Sequence, residues 1–263
     1  MTGVRKVQTS GETELFYIVG SPVRHFCTPD LFTAQFRAKG REANAAPLHV
    51  LPQDPEAALV DRCTPAAERT GLVNFIRSGA DGTQAEHDID CEGFLLRLTA
   101  SGFVPVGAKV VQVGAGGVGR AVAFSLAEAG IAEMTIINRD PGKAQALAAE
   151  VQAATGVMCN TGSDESKLDL AACDLLVNAT SLEKGGAGGS PLTLAGMRAG
   201  AMVADVVISV TDTPFIAEAR AFGCRVVQDG AVLRPRIELC ETFPCSQSEN
   251  ARTVWDRPSM LCI

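Results

Sequence analysis

The sequence predicts an α/β protein with two domains, the second of which contains a doubly wound parallel sheet. From about residue 109 to residue 229, short apolar runs alternate with Ala-rich helical stretches. Because helices cover both faces of such a sheet, its strands consist of continuous apolar residues. Of the 263 residues, 46% are hydrophobic and 20% are charged, which suits a globular chain that buries a sizeable core.

Hydrophobic periodicity divides the second half of the chain into strands and helices. The predicted strands are Lys109–Val113, Met134–Asn138, Asp174–Ala179, Val203–Ile208 and Cys224–Gln228. The predicted helices are Val118–Ala129, Pro141–Ala153 and Thr213–Phe222. Proline at a helix start and glycine just after a helix end are typical boundary signals.

The first hundred residues are less regular and predict a smaller α/β domain. Its expected strands are Leu15–Val19, Pro47–Leu51 and Gly71–Arg77, and its expected helices are Pro29–Lys39 and Glu92–Ala100. A further helix is expected near the end of the chain, from Leu233 to Phe243.

Composition excludes several classes of partner. With 23 basic and 30 acidic residues the formal charge is −7, which disfavours nucleic acid as the main partner. No run of 18 apolar residues exists, and the first residues lack the apolar core of a signal peptide, so we expect no membrane partner. The nine cysteines are scattered without a CxxC pair, which predicts no metal site and fits a reducing cytoplasm.

A glycine-rich loop gives the strongest local signal. It follows a predicted strand, opens a predicted helix, and consists of Gly114, Ala115, Gly116, Gly117, Val118 and Gly119. In the GxGxxG pattern the first glycine permits the tight turn, the second lets the backbone approach a pyrophosphate, and the third allows close helix–strand packing. The helix N-terminus then offers free N–H groups to the phosphates. We therefore expect a dinucleotide site of the Rossmann type, against the alternative of a plain glycine-rich turn.

The end of the next strand carries the residues that select the dinucleotide. An acidic residue there would bind the ribose hydroxyls of NAD, whereas this chain has Asn138, Arg139 and Asp140, followed by Lys143. A guanidinium group can bind a 2′-phosphate, so the pattern favours NADP. Asp140 could instead accept ribose hydroxyls, which keeps NAD open, and a solvated strand end is the simpler alternative.

Several motifs in the same order carry a family resemblance. They are a G-x-P turn at Gly20–Pro22, a strand at Pro47–Val50, a GAVN-like segment at Gly71–Asn74, an NTDGxGF-like segment at Asp88–Phe94, and the NAT segment Asn178–Thr180. With the glycine loop and the Asn-Arg pair, they make the chain resemble the shikimate/quinate dehydrogenase family, and most closely its shikimate dehydrogenase-like paralogues.

The resemblance implies a substrate-binding domain over residues 1–98, onto which a helix at 231–245 packs back. An NAD(P)-binding domain over 99–230 and a tail over 246–263 complete the expected organisation. It also implies hydride transfer between NADP(H) and a ring hydroxyl or ketone of a small hydroxylated carboxylic acid, a reaction of aromatic amino acid biosynthesis. Asp90 occupies the position of the catalytic Asp, and Asn74 that of a substrate-contacting Asn. Asn178, Ala179 and Thr180 occupy positions beside the cofactor.

The sequence departs from the family pattern at the substrate side. The family Lys, expected in a VTxPHK-like segment before the GAVN segment, has no counterpart, because Leu51–Asp54 runs almost directly into Ala57–Arg62. The other departures are Phe26 for one of two substrate hydroxyls (the other being Thr28), Ile208 for a Tyr, Arg236 for a Gln, and Glu183-Lys184 for a Gly-Met pair. Thr28 and Arg236 are therefore expected substrate contacts, the latter through a substrate carboxylate.

Two main interpretations remain open at this point. The first is a diverged dehydrogenase, a monomer or homodimer, in which Lys184 or His87 replaces the missing cation or base. The second is a catalytically impaired paralogue that binds dinucleotide in a regulatory or structural role, because losing general acid–base help costs about 10²- to 10⁴-fold in rate. A third, less favoured, is different chemistry on the same fold.

Overall fold

The computed structural model describes residues 10, 12–20, 23, 28–50, 62–63, 72–78, 84–87, 89–162, 168–180, 190–207, 211–228 and 260–261. These residues fall into two compact units. The first contains the described residues through His87 together with Met260–Leu261, and the second contains those from Ile89 to Gln228.

The described part of the first unit is built on a mixed five-stranded sheet with one helix, α1 (Thr28–Ala38). The strands are β1 (Glu14–Gly20), β2 (Ala43–His49), β3 (Arg62–Cys63), β4 (Leu72–Val73), β5 (Phe75–Ser78), β6 (Gln84–His87) and β13 (Met260–Leu261). The sheet order is β2-β1-β5-β6-β3, and β4 pairs separately with β13. Strand β1 runs parallel to β2 and antiparallel to β5, so both of its edges are hydrogen-bonded.

An aromatic cluster forms the core of this unit. Phe16, Phe32, Phe36 and Phe75 are fully buried, and the rings of Phe16 and Phe36 stack with centroids 4.7 Å apart. Such pairs contribute about 0.5–1.5 kcal/mol beyond their area burial. The cluster explains why α1 lies against the sheet, because the helix carries Phe32 and Phe36 while β1 and β5 carry the other two rings.

The second unit is a six-stranded, wholly parallel sheet with helices on its faces. Its elements in chain order are α2 (Ile89–Ala100), β7 (Lys109–Val113), α3 (Gly117–Glu128), β8 (Glu133–Ile137), α4 (Pro141–Thr155), β9 (Met158–Gly162), β10 (Leu175–Asn178), β11 (Met202–Asp205), α5 (Pro214–Ala221) and β12 (Arg225–Gln228). The order β12-β11-β10-β7-β8-β9 is that of a Rossmann sheet. The predicted fold class is therefore confirmed.

Two apolar layers cover the two faces of this sheet. One layer joins α2, α3 and α4 to alternate residues of the strands, including Val110, Met134 and Val177. The other joins α5 and the segment around Leu192–Met197 to the opposite residues, such as Val111 and Val203. Among the described residues, no helix is both long enough and apolar enough to span a bilayer.

The observed elements include four strands that were not predicted, namely β3, β6, β9 and β13. Strand β9 was not predicted, because it pairs with β8 alone and exposes Met158, Asn160 and Thr161. Strand β2 begins at Ala43 rather than Pro47, since its Ala-rich sequence pairs along the whole of β1. The single strand expected over Gly71–Arg77 is divided at a buried asparagine into β4 and β5.

Helix α2 packs within the second unit through Phe94 and Leu98. The boundary between the two packed units therefore lies before Ile89, whereas the predicted domain boundary follows residue 98. The helix expected over Leu233–Phe243 lies outside the described residues. Of the expected tail over 246–263, only Met260–Leu261 is described, and it forms β13.

Candidate functional site

The second sheet contains a point at which its strand order reverses. Strands β8 and β9 lie on one side of β7, and β10, β11 and β12 lie on the other. In open α/β sheets, ligands bind in the crevice that such a reversal creates at the carboxyl ends of the strands. The segments that leave β7 and β10 at this edge are the glycine loop and the Asn178–Thr180 turn.

Two glycines of the loop are required by close backbone packing. Gly114 has φ +111°, and a Cβ on it would lie 2.5 Å from the carbonyl oxygen of Ala179. A Cβ on Gly119 would overlap the carbonyl of Gly114. Gly114 therefore lies directly against the Asn178–Thr180 turn on one side and against Gly119 of α3 on the other, with no room for a side chain at either glycine.

The remaining glycine of the pattern faces open space. Gly116 is exposed, has extended backbone (φ −84°, ψ −169°) and has no atom within 4 Å of where its Cβ would be. As the N-cap of α3 it supplies no side-chain hydrogen bond to the helix, whose first residues are Gly117 and Val118. The N–H groups of a first helical turn have no intrahelical acceptor, so this helix end can receive an anion.

The segment after β8 divides its side chains between two tasks. The carboxamide of Asn138 accepts a hydrogen bond from the Ala115 N–H (3.2 Å) and donates one to the Asp140 carbonyl (3.0 Å). The Asp140 carboxylate accepts the Gly142 N–H (3.0 Å) and so caps α4. Arg139 and Lys143 are exposed beside them. The loop is thus held by Asn138 and Asp140, while the two cations face solvent.

The turn after β10 is fixed by a buried polar network. The Asn178 side chain is fully buried, and its Oδ1 accepts both the N–H (3.0 Å) and the hydroxyl (2.7 Å) of Thr180. Its Nδ2 donates to Asp205 (3.1 Å), a carboxylate that is 1% exposed and that also accepts the Thr213 hydroxyl (2.7 Å). The network joins the ends of β10 and β11 to the N-cap of α5.

The expected cofactor residues therefore converge at one edge of the second sheet, whereas the substrate residues are described only in part. Asn74 is buried in the first unit, between β4 and β5, and its carbonyl accepts the Val19 N–H (3.0 Å). Asp90 lies in the first turn of α2 and Thr28 begins α1, but their side chains are outside the described set. Arg236 lies outside it altogether, as do Lys184 and Phe26. In the described part of the chain, no cluster of three or more potential metal ligands is present.

Two polar residues in the site were not predicted. Gln112 lies in β7 just before the glycine loop, and Asp205 ends β11; both are buried. The available signal was a polar residue within, or at the end of, an otherwise apolar strand. Such a residue is costly to bury without hydrogen-bonding partners.

Comparison with known proteins agrees with this geometry. Residues 101–186 match the family described as Shikimate / quinate 5-dehydrogenase. The shikimate dehydrogenase (NADP(+)) of Moorella thermoacetica is 33% identical over 254 aligned positions that cover 84% of each chain. The chain belongs to the shikimate/quinate dehydrogenase family.

Other members of the family differ in cofactor. The quinate/shikimate dehydrogenase (NAD(+)) of Corynebacterium efficiens is 35% identical over 64% of this chain and 60% of its own. The structure of shikimate 5-dehydrogenase from Thermus thermophilus, in complex with NADP(H) and shikimate, is 30% identical. It superposes with a TM-score of 0.69 over 86% of this chain and 91% of that one. The family resemblance stated from the motifs is thus confirmed, and the relatives named here use NADP(H) or NAD.

Proposed function

We propose that the protein is an NADP(H)-dependent dehydrogenase whose dinucleotide binds at the carboxyl edge of the second sheet. The observation that carries this proposal is the contrast within one loop. Gly114 and Gly119 are closed in by backbone, while Gly116 opens onto free space above an uncapped helix end. A loop that needed only to turn would not keep that side empty, whereas a pyrophosphate requires both the space and the N–H groups.

NADP is proposed as the preferred cofactor because Arg139 and Lys143, after β8, are exposed, while the carboxylate of Asp140 is hydrogen-bonded within the chain. Asp140 caps α4, so its charge is directed at the Gly142 N–H rather than at a ribose. Arg139 and Lys143 can then bind a 2′-phosphate, the guanidinium group through two hydrogen bonds. Arg139→Gln should raise the KM for NADP⁺ about tenfold or more and change that for NAD⁺ little.

Arg220→Gln is the matched control for that substitution. Arg220 is also an exposed arginine, but it lies in α5, on the opposite side of β7 from β8 and Arg139, and its guanidinium is paired with Asp212 (2.7 Å). If Arg139→Gln and Arg220→Gln change the two KM values equally, Arg139 does not select the cofactor.

We propose that the substrate is a shikimate- or quinate-like ring alcohol, with its acid group near Arg236. The bound nicotinamide supplies the hydride acceptor or donor. As the alcohol carbon loses hydride, the hydroxyl must lose its proton, and Asp90 in the first turn of α2 is proposed to orient that hydroxyl. Asn74 and Thr28 are proposed as further substrate contacts.

We also propose that this chain lacks the segment that carries the family Lys, and two observations support this. The alignment with the Moorella thermoacetica enzyme extends over 254 positions, yet 84% of the 263 residues, about 221, take part in it. About 33 positions (254 minus 221) therefore hold a residue of the relative that has no counterpart here. In addition, β1 is paired along both edges, by β2 and β5, so no further strand can lie beside it.

A second candidate function follows from that deletion. Without the Lys, the protein could bind dinucleotide and catalyse little, acting as a regulatory or structural paralogue. Because β1 pairs with β2 on one edge and with β5 on the other, the first sheet leaves this strand no unpaired edge in spite of the missing segment. A folded but inactive first unit is compatible with that arrangement.

Spectrophotometric assay of NADP⁺ reduction with shikimate and with quinate tests both candidates, with Asp90→Asn as the control. Turnover that Asp90→Asn abolishes supports the dehydrogenase, and Lys184→Ala and His87→Ala then identify the replacement group. NADPH binding without turnover on either substrate supports the impaired paralogue. No NADPH binding at all contradicts both candidates.

We propose further that the substrate domain, defined by its role, spans residues 1–98 with the helix at 231–245, and so includes the part of α2 that carries Asp90 although α2 packs with the second unit. The nucleotide domain then spans 99–230. The protein is proposed to act in a reducing cytoplasm as a monomer or homodimer. The thiols of Cys159, Cys173 and Cys224 are free, which supports a reducing compartment. Light scattering of the purified protein distinguishes the two oligomeric states.

A further inference from the structure

Gln112 is a polar side chain in an apolar layer. It is 0% exposed and lies in β7 between Ile136 of β8 and Val177 of β10, its registered neighbours on the two adjacent strands. Both neighbours belong to the apolar layer beneath α2, α3 and α4. A glutamine in such a layer loses its hydrating water, which costs free energy. Hydrogen bonds must offset this cost, or the residue must serve a purpose other than stability.

The Gln112 amide joins the two ends of the glycine loop. Its Nε2 donates to the carbonyl of Gly114 (2.9 Å) and to the carbonyl of Gly119 (2.8 Å). Gly114 is the first residue after β7, and Gly119 lies in the first turn of α3. One NH₂ group thus fixes the position of the helix N-terminus relative to the end of the strand.

The hydrogen bonds also determine which way the amide faces. Because Nε2 must face the two carbonyls, Oε1 points elsewhere, and it has no donor among the described residues although it is buried. A buried acceptor without a donor destabilises the fold. The side chain therefore supplies donors to the loop carbonyls while its own Oε1 is left without one. This argues that Gln112 does more than stabilise the fold.

The loop geometry explains what the two bonds achieve. The Gly114 carbonyl lies so close to Gly119 that no side chain fits there, and its donor among the described residues is Gln112. With that carbonyl fixed in position, Gly116 remains on the open side of the loop, at the start of a helix whose first N–H groups have no intrahelical acceptor.

We infer that Gln112 is a positioning residue for dinucleotide binding, acting through the Gly114 and Gly119 carbonyls to fix the phosphate-binding loop. This inference rests on the proposed function, since it assigns how the same site is ordered. Gln112 does not touch the cofactor. Its contribution is to order the loop before binding, which lowers the cost of binding.

Gln112→Met tests the inference, because methionine keeps the length and apolar packing of the side chain while removing the donor. In the protein without cofactor, we expect faster amide hydrogen exchange in the peptide covering residues 114–120, with exchange in β8 and β10 unchanged. The Kd for NADPH should rise about tenfold or more, and KM for NADP⁺ should rise with little change in kcat. Val110→Ala, two residues earlier in the same layer, should lower the melting temperature and leave loop exchange and Kd unchanged.

Gln112→Glu provides a second variant if the methionine protein does not fold. A carboxyl group donates a hydrogen bond only when protonated, so its Kd for NADPH should fall toward that of the wild type as the pH is lowered from about 8 to about 6. The inference would be overturned if a folded Gln112→Met protein bound NADPH with the Kd of the wild type. It would also be overturned if the Kd of Gln112→Glu, divided by that of the wild type, did not change with pH. If the wild type itself binds no NADPH, the proposed function fails, while the exchange data still decide whether Gln112 orders the loop.

Discussion

Replacing Gly114 by alanine should destabilise the second unit by an amount that the backbone geometry allows us to work out. The residue has φ +111°, outside the regions that alanine adopts without strain. The added methyl group would lie 2.5 Å from the Ala179 carbonyl oxygen and 2.7 Å from its carbon. Both are backbone atoms at the end of β10, so they cannot move aside as a flexible side chain could.

Each effect has a known scale. Strained backbone of this kind costs about 1–3 kcal/mol, and forcing an extra methyl group into a packed site costs about 1–3 kcal/mol. The loss of unfolded-state freedom on replacing glycine offsets about 0.4–1 kcal/mol. We therefore expect Gly114→Ala to lower the free energy of unfolding by roughly 1–6 kcal/mol, which corresponds to roughly 2–24 °C in the melting transition.

Gly116→Ala is the matched control, because it makes the same chemical change two residues away. Its backbone is already extended, and nothing lies within 4 Å of the new methyl group, so stability should change by less than about 1 kcal/mol. The methyl group does occupy the side on which the pyrophosphate is proposed to bind. NADPH affinity should therefore fall about tenfold or more in a protein that melts like the wild type.

Scanning calorimetry and NADPH fluorescence titration measure the two quantities separately. If Gly114→Ala melts within about 1 °C of the wild type, the close approach to Ala179 does not constrain the loop. If Gly116→Ala binds NADPH as the wild type does, the open side of the loop is not where the phosphates lie.

Three further results are expected. Asp205→Ala removes an acceptor on which Asn178 depends, so we expect a loss of about 2–4 kcal/mol in calorimetric or urea unfolding; unchanged stability would show that the network does not support β11. A hydrogen bond from Arg41 holds the pKa of Glu14 below its usual 4.5, so Glu14 stabilises the fold above that value and the contribution is lost as the pH falls through the lowered pKa. Glu14→Gln should flatten the acid side of the stability profile between pH 7 and 3, and identical profiles would contradict the assignment. Burial raises the pKa of Cys173 to about 11, so roughly one molecule in a thousand carries the thiolate at pH 8. Mass spectrometry should therefore find Cys173 unmodified by a thiol reagent until the protein unfolds. Prompt labelling of Cys173 in the folded protein would refute this expectation.

The sequence was most informative where strands are buried on both faces. Strands β10 and β11 bury every residue, so they stand out as apolar runs between polar turns. Strand β9 lies at the sheet edge and three of its five residues are exposed, so its pairing with β8 leaves no trace in hydrophobic periodicity. Strand β2 was placed too late for a related reason, since backbone pairing with β1 extends through alanines that carry little β preference.

The candidate site divides in the same way. Glycine spacing reports backbone requirements, so the turn at Gly114 and the close packing at Gly119 could be predicted from sequence alone. The roles of Gln112 and Asp205 could not, because they depend on tertiary contacts. Asp205 meets Asn178, 27 residues earlier, only because β10 and β11 pair in parallel with these two residues in register.

The alternation along the segment after β8 has an evolutionary consequence. Asn138 and Asp140 are committed to the backbone of the loops they hold, while Arg139 and Lys143 project into solvent. With the role proposed for Arg139 and Lys143, a lineage can exchange these two cations, and with them the preferred nucleotide, without disturbing the hydrogen bonds of Asn138 and Asp140. Because the outward positions make no demand on the fold, such drift requires no compensating substitutions in the core.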